Sequence, residues 1–408
     1  MASAKLTATN SLKTVEWMWQ SNSNPWSDEQ AAEWSHYSDV ENLIIEKAFS
    51  NKQQRAELDE YYIDFTDNVQ VSNSDSNKKR PVKRIIRKRD DKHLREARFM
   101  DLPIASERSF GGQYGFVSPF VIEIRRYLKL DPFDLPSTKP EIIPDLVEKA
   151  AKGIIMEGKN IRKQREAEEI ASLLREKRNK EIKEVWQRCV YLYSLESFLY
   201  KTLNATMRLV GSRENDQVWR SKISTLGPFC LLLWDDPFST KMKVNVELYR
   251  GADLQAEHIT MYEKMVNKKD GYGSFQGFSS CSRNREKAEQ FGNTLFIMRV
   301  KFAFVADLSK WSEYPNEEEE LIMPGVCFRV LKIEFDRKKN KNLIYLELKQ
   351  RWSAEDSAHY QSSTHRSKVN DAYDDDAAFA ADGTDAFAET LPIDGFRFDR
   401  DGNWIGNK

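Results

Sequence analysis

Residues 244–251, VNVELYRG, alternate apolar and polar side chains and end on an arginine followed by a glycine. Period-two alternation is the mark of a strand with one buried face. The segment also marks a change of pattern. Upstream, Ile170, Leu173 and Leu174, then Ile182, Val185, Trp186 and Cys189, form an apolar stripe between charged faces, continued by Leu195, Phe198, Leu199 and Leu203. That spacing predicts packed helices. Downstream, 294–302 (TLFIMRVKF) and 326–335 (VCFRVLKIEF) read as further strands. The polar KKNKN at 338–342 then turns into 343–349 (LIYLELK), predicting an antiparallel hairpin. Helices first and a β core second is an α+β order, here predicted for one domain over 141–350.

The first 85 residues are compositionally distinct. Four of the ten tryptophans (Trp17, Trp19, Trp26, Trp34) fall within them, so aromatic packing has to dominate this unit. Ser38-Asp39-Val40 leads into 41–49 (ENLIIEKAF), where Leu43, Ile44, Ala48 and Phe49 recur at helical spacing. Residues 61–71 (YYIDFTDNVQV) read as one strand and 81–86 (PVKRII) as another, with turn formers in 71–80 (VSNSDSNKKR) between them. These elements predict a small α+β unit over 1–85, with strands around a single helix. Residues 86–140 read as a linker, with an exposed helix at 87–98 and a loop at 109–119 (SFGGQYGFVSP). Beyond 350 the chain is small, polar and acidic, which predicts a disordered tail over 351–408.

Composition bounds the function. A chain of 408 residues exceeds one compact core and predicts two or three domains. Its net charge of -1 creates no global field toward nucleic acid or anionic membrane. The basic run after Lys78 lacks aromatic interleaving, so a nucleic-acid partner is not expected. No apolar stretch reaches the ~18 residues of a membrane span, and the N-terminus has no apolar leader core. Cys189, Cys230, Cys281 and Cys327 show no metal spacing. Reduced thiols in a cytoplasmic or nuclear compartment, and no metal site, are the expectation.

Three pieces of the β region can carry chemistry together. Arg250 ends its strand, its forked guanidinium suits a pyrophosphate, and Gly251 leaves room for an anionic ligand. Taken alone, such an arginine is more often a surface ion pair. In 275–284 (FQGFSSCSRN), Ser279, Ser280 and Ser282 sit beside Phe275 and Phe278, and their hydroxyls can bond a ribose or orient a carboxylate. In 317–325 (EEEELIMPG) a strand beginning at Glu320 puts Glu318 and Glu320 on one side of the pleat. Two such carboxylates raise each other's pKa and can take separate acid/base and electrostatic roles.

In this order, Arg250 in YRG, Ser280-Cys281-Ser282 after Phe278, and Glu318-Glu319-Glu320 before Leu321 resemble the R-S-E signature of the arginine-type ADP-ribosyltransferases. The helical lead-in 191–209 and the flanking stretches 283–298 and 324–330 resemble the same family. The resemblance implies NAD+ as substrate and a fold of helical lobe plus two-sheet β core. It implies that Arg250 holds the NAD+ diphosphate, that Ser280 braces the ribose and the catalytic carboxylate, and that Gly251, Phe278 and Ser282 line the site. Glu320 would stabilise positive charge as the nicotinamide bond breaks, and Glu318 would help an incoming guanidinium attack. The loop 311–317 would contact the target protein, with Tyr314 exposed. Cys281 departs from the family's usual threonine, with redox sensitivity as the expected consequence. Protein arginine is the implied acceptor. An NAD+ glycohydrolase, with water as acceptor, and a catalytically silent ADP-ribose-binding protein remain the alternatives.

The N-terminal unit resembles the WWE domain, with Trp19, Trp34 and Glu46 as the counterparts of its named residues. Some WWE domains bind the iso-ADP-ribose unit of poly(ADP-ribose). By that resemblance Tyr37 and Tyr61 would flank the adenine, Gln70 would bond its edge and Arg80 would meet phosphate. ADP-ribosylated proteins or poly(ADP-ribose) are then the implied partners.

Overall fold

The computed structural model describes residues 15–86 and 118–349, apart from 28, 30, 132–133, 239–241, 244 and 267–271, together with 396–398 and 404–407. The expected exposed helix at 87–98 and most of the acidic tail lie outside the described residues. Within the tail two short strands pair, Phe396–Phe398 and Trp404–Asn407. Among the described residues no helix is long and apolar enough to cross a membrane.

The N-terminal unit is a six-stranded sheet of β1 (Val15–Gln20), β2 (Trp34–His36), β3 (Arg55–Glu57), β4 (Tyr61–Asp64), β5 (Val69–Ser72) and β6 (Asp75–Ile86). The order is β2-β1-β6-β5-β4-β3, every pair antiparallel. Its helix, Asp39–Ser50, starts at a capping box, with the Ser38 hydroxyl on the Glu41 amide and the Glu41 carboxylate on the Ser38 amide. Ile45 and Ala48 pack against Val15, Trp17 and Ile63. Glu46 is buried in this core and accepts from Trp17 Nε1 at 2.9 Å and from Arg84 Nε and Nη2 at 2.9 and 2.8 Å. Burial alone would raise its pKa, but the bonds from Arg84 and Trp17 outweigh it and hold the carboxyl below its ordinary value.

Three readings of this unit change. Trp17 is the fully buried tryptophan that meets Glu46, whereas Trp19 and Trp34 are half-buried under Arg80 and Lys83. Residues 61–71 form a hairpin, not one strand. The Asp64 carboxylate accepts from the Thr66 and Asp67 amides, and Asn68 takes a left-handed φ of 54°. The NKKR stretch belongs to β6, the turn being confined to the residues between Ser72 and Asp75.

The helical region comprises Pro119–Leu128, Ile143–Asn160, Gln164–Arg175, Ile182–Ser194, Phe198–Arg208, Asp216–Ser221 and Ile223–Trp234. The first of these falls in the segment expected to be a linker. Phe120, Val121 and Ile124 are buried in the main core, and Ile124 packs so close to Gly227 that a Cβ there would sit 2.8 Å from it. The N-terminal unit docks on the same core through Val40 and Leu43. Polar bonds frame that junction: Lys47 to Glu169 at 2.9 Å, and the Asp59 carboxylate accepting the Arg165 and Glu166 amides at 2.8 and 3.3 Å.

The C-terminal sheet contains β7 (Met242–Lys243), β8 (Val246–Ala252), β9 (Tyr272–Ser274), β10 (Ser279–Ser282), β11 (Thr294–Asp307), β12 (Glu319–Ile322), β13 (Cys327–Asp336) and β14 (Lys341–Lys349). Its order is β12-β10-β8-β11-β14-β13-β9, with the β13–β14 hairpin antiparallel as expected. β11 pairs β8 along its first half and β12 and β7 along its second. β12 also pairs β10, so β11, β8, β10 and β12 close a ring. Closure of this kind requires strands to run obliquely to one another.

Glu166 gives the helical region a pH dependence. Buried beside the N-terminal unit, it accepts the Phe198 amide at 3.0 Å. Burial pushes its pKa up to about 7, against the Phe198 bond and Lys163. A folded-state value above the ordinary 4.5 means that its contribution is complete below pH 4.5 and lost as pH rises through 7. Glu166→Gln keeps an acceptor and removes the titration. Its melting temperature relative to wild type should rise across that window, measured by thermal denaturation at a series of pH values.

Candidate active site

β8 turns Leu248 and Arg250 inward and leaves Glu247 exposed, the expected alternation. The buried Arg250 guanidinium donates from Nη1 to the Ser280 carbonyl at 2.5 Å. β10 lies between β8 and β12. Ser282 is opposite Tyr249 on one side and Glu319 on the other, and Cys281 is opposite Glu320. Ser280 faces Leu321, one step from Glu320, and its carbonyl is what ties it to Arg250. Ser282 has a different task from the expected one. Its hydroxyl donates to the Glu317 carbonyl at 2.8 Å and accepts the Asn284 amide at 3.0 Å, locking the exit of β10 to the entry of β12.

The four glutamates occupy unlike environments. Glu317 closes a short 3-10 turn, Pro315–Glu317, and Glu318 comes next in a left-handed conformation at φ 49°. The strand therefore begins at Glu319, and the shared pleat face expected for Glu318 and Glu320 does not form. Burial separates the two. Glu320 is wholly buried, whereas the Glu318 side chain is 42% exposed. Two cations that sequence reasoning missed attend them. Arg283 lies 3.5 Å from Glu320 and 3.4 Å from Asp307, and its Nη2 donates to Ser309 Oγ at 3.3 Å. Lys287 lies 3.3 Å from Glu318 and donates to the Asn316 carbonyl. The signal was present as the RNREK run directly after the serines, where it read only as a flanking stretch. One protected anion beside one open to solvent is an arrangement that can stabilise a cation and also take a proton.

Other expected site residues are placed differently. A Cβ on Gly251 would meet the Ala288 carbonyl oxygen at 2.5 Å and Phe291 Cβ at 2.7 Å. Gly251 thus admits the chain's own segment, not a ligand. Phe278 packs on Tyr193, ring centroids 5.6 Å apart, joining the sheet to the helical core. Tyr314 was expected to be exposed and is only 4% so, its hydroxyl donating to the Asp39 carboxylate at 2.8 and 2.9 Å.

In the N-terminal unit Tyr37, Tyr61, Gln70 and Arg80 do come together. The Tyr37 hydroxyl donates to Gln70 Oε1 at 2.7 Å, and Gln70 is opposite Arg80 across β5 and β6. Arg80 Nη1 donates to the Gln20 and Asn22 carbonyls at 2.9 and 2.7 Å, above the Trp19 ring. Burial, then the charges of Glu41 and Tyr61, push the Tyr37 hydroxyl pKa up. Burial and Glu60 do the same to Tyr61, with Arg80 opposing.

Comparison with known families matches both regions of the chain. A family model for NAD:arginine ADP-ribosyltransferase matches residues 163–354, and one for the WWE domain matches residues 15–84. The chain joins a WWE domain to an ADP-ribosyltransferase domain. The match supports ADP-ribosyltransferase activity, a family chemistry in which NAD+ is the substrate. Similar solved structures include the ADP-ribosyltransferase HopU1 of Pseudomonas syringae pv. tomato, 18% identical with TM-score 0.36, covering 44% of this chain and 87% of that one. The type III effector XopAI of Xanthomonas axonopodis pv. citri is 13% identical with TM-score 0.37, covering 57% and 95%. Exoenzyme S of Pseudomonas aeruginosa, solved with human 14-3-3 protein beta and carba-NAD, is 19% identical with TM-score 0.32, covering 49% and 88%. No curated protein matches the chain. The helices Pro119–Leu128 and Ile143–Asn160 precede the matched transferase segment yet share its core.

Cys281 is fully buried on β10, opposite Glu320 of β12. Burial pushes its thiol up to about 12, Arg250 only partly opposing. Burial and a raised thiol pKa both argue against the expected redox sensitivity, because the thiolate is the reactive species. Native protein treated with iodoacetamide at pH 8 should leave Cys281 unalkylated by peptide mass spectrometry, whereas denatured protein should be labelled there.

Proposed function

We propose that the transferase domain modifies protein arginine and that the WWE domain binds ADP-ribose already attached to proteins. The observation that supports arginine is the division between buried Glu320 and half-exposed Glu318 two residues before it. Arg250 binds the NAD+ diphosphate through its fork, with Ser280 beside the ribose. As the ribose C1′–nicotinamide bond breaks, nicotinamide leaves with the bonding pair and positive charge develops on the ribose. A fixed, buried carboxylate at Glu320 offsets that charge. A guanidinium is protonated at any ordinary pH, so its attack on C1′ must shed a proton. Glu318, reachable from solvent, accepts it as the new C–N bond forms. Water in the guanidine's place would give hydrolysis, and Glu318 is what favours transfer.

In the WWE domain, Tyr37 and Tyr61 would flank an adenine, Gln70 would bond its edge, and the unused N–H groups of Arg80 would meet phosphate. This module would hold the enzyme at sites already modified, raising its effective concentration there. Four buried, free cysteines favour a reducing intracellular setting, cytoplasmic or nuclear.

Purified protein incubated with labelled NAD+ and agmatine, a free guanidino acceptor, should form ADP-ribosylagmatine. Glu320→Gln should lower both adduct and nicotinamide release by about 100-fold or more. Glu318→Gln should lower the adduct by about 100-fold while nicotinamide release persists. Free ADP-ribose without adduct from the wild type would replace this reading with a glycohydrolase, and NAD+ binding without turnover would leave a silent reader. For the WWE domain, Arg80→Ala should weaken binding of poly(ADP-ribose) by about tenfold, the loss of one charge-assisted contact, measured by fluorescence polarisation.

A further inference from the structure

The segment from Trp311 to Glu318 connects β11 to β12 and ends in the partly exposed Glu318, two residues before buried Glu320. It is pinned at five points. The Trp311 ring stacks on Phe238 at 5.0 Å and meets Trp186 edge-on at 5.4 Å. The Glu313 amide donates to Ser194 Oγ at 2.9 Å. Lys287 holds the Asn316 carbonyl, and Ser282 Oγ holds the Glu317 carbonyl at 2.8 Å. These four anchors belong to the transferase domain. The fifth does not: the Tyr314 hydroxyl donates to Asp39, the first residue of the WWE helix Asp39–Ser50.

Asp39 is itself held from the transferase side, since its Oδ2 accepts the Glu196 amide at 2.6 Å. Tyr314 in turn sets the backbone of the next few residues. Its carbonyl accepts the Glu317 amide at 3.1 Å, closing the 3-10 turn that ends in Glu318 at φ 49°. A residue with a side chain keeps a left-handed backbone only where its surroundings over-determine it. The contact orders the loop without covering the acceptor side, because Tyr314 is 4% exposed while the Glu318 side chain is 42% exposed.

We infer that Asp39 of the WWE domain is a positioning residue of the transferase, holding Tyr314 so that the loop presents Glu318 to the acceptor. The WWE domain is then part of the catalytic architecture as well as a reader. This rests on the acceptor role given to Glu318 above. Asp39 acts here on the orientation of the acceptor base, so its loss should affect transfer in a way that nicotinamide release does not share.

The test compares full-length wild type, Asp39→Asn, Tyr314→Phe, their double variant and the conservative Asp39→Glu. Hydrogen–deuterium exchange reads the loop directly. The Glu317 and Glu318 amides should exchange about tenfold faster in either single variant, as for loss of one hydrogen bond to a charged acceptor. Peptides from the helix Ile223–Trp234 should be unchanged. Transfer to agmatine should fall about tenfold, with nicotinamide release in the absence of acceptor within about twofold of wild type. The double variant should fall no lower than Asp39→Asn alone, since Tyr314→Phe removes a contact that Asp39→Asn already weakens, and Asp39→Glu should recover part of the loss. Unchanged loop exchange would overturn the inference, as would transfer equal to or above wild type, transfer and release falling in step, or additive effects. If the wild type forms no ADP-ribosylagmatine, the acceptor reading fails, and loop exchange still decides the clamp.

Discussion

The transferase site depends on one strand being shared. Ile297 of β11 is opposite Tyr249 of β8, Tyr249 is opposite Ser282 of β10, and Ser282 is opposite Glu319 of β12. The Glu319 carbonyl then accepts the amide of Leu308, at the far end of β11. The ring closes on β11 eleven residues from where it began. A closed set of strands with that much offset must cross obliquely. The consequence is that Arg250, Ser280 and Glu320, spread over seventy residues of sequence, converge on a few neighbouring rungs. Gly251 is required by the same closure, because the segment after β10 passes where its Cβ would be.

Convergence concentrates charge in a dry place. Glu317, Glu319 and Glu320 are all buried, as is Arg250, and Arg283 lies between Glu320 and Asp307. Desolvating carboxylates is unfavourable by several kcal/mol each unless cations and hydrogen bonds compensate. Such a cluster makes sense as chemistry more than as stability: a preorganised anion in a water-poor setting acts strongly on a nascent positive charge. The compensation lies elsewhere, in the apolar core that runs from the helical region into the sheet. That core also takes in Val40 and Leu43 of the WWE helix, so the two domains are packed together rather than strung on a tether. Tyr37 of the proposed reader cluster and Asp39 of the proposed loop clamp are separated only by the capping Ser38.

Much was legible in the order of residues alone. Alternation in 246–250, and the helical stripe through Ile170, Leu174, Val185 and Trp186, reflect burial of one face, which composition along the chain records directly. The helix entered through Ser38-Asp39-Val40 was equally local, and the structure adds the capping box of Ser38 and Glu41. Where the reading failed, a local signal was overlooked or a distant partner decided. The Asp64–Asn68 turn was written in residue types that favour turns, but apolar neighbours on both sides disguised it as one strand. The helix Pro119–Leu128 has a short apolar run whose helical character is secured by packing on the helix Ile223–Trp234, about a hundred residues away.

The sequence by itself therefore determined the α+β order, the WWE and R-S-E motifs, and the residues worth watching, because periodicity, capping and motif spacing are properties of neighbours along the chain. Only the tertiary structure decided that Trp17 and not Trp19 meets Glu46, that Gly251 admits protein instead of ligand, and that Glu318 stands outside the strand that buries Glu320. It also decided that Arg283 and Lys287 attend those glutamates and that Tyr314 is covered by Asp39. The physical reason is the same in each case: burial and pairing are set by which strand or helix arrives from elsewhere, and strand register and domain docking leave no trace in local spacing.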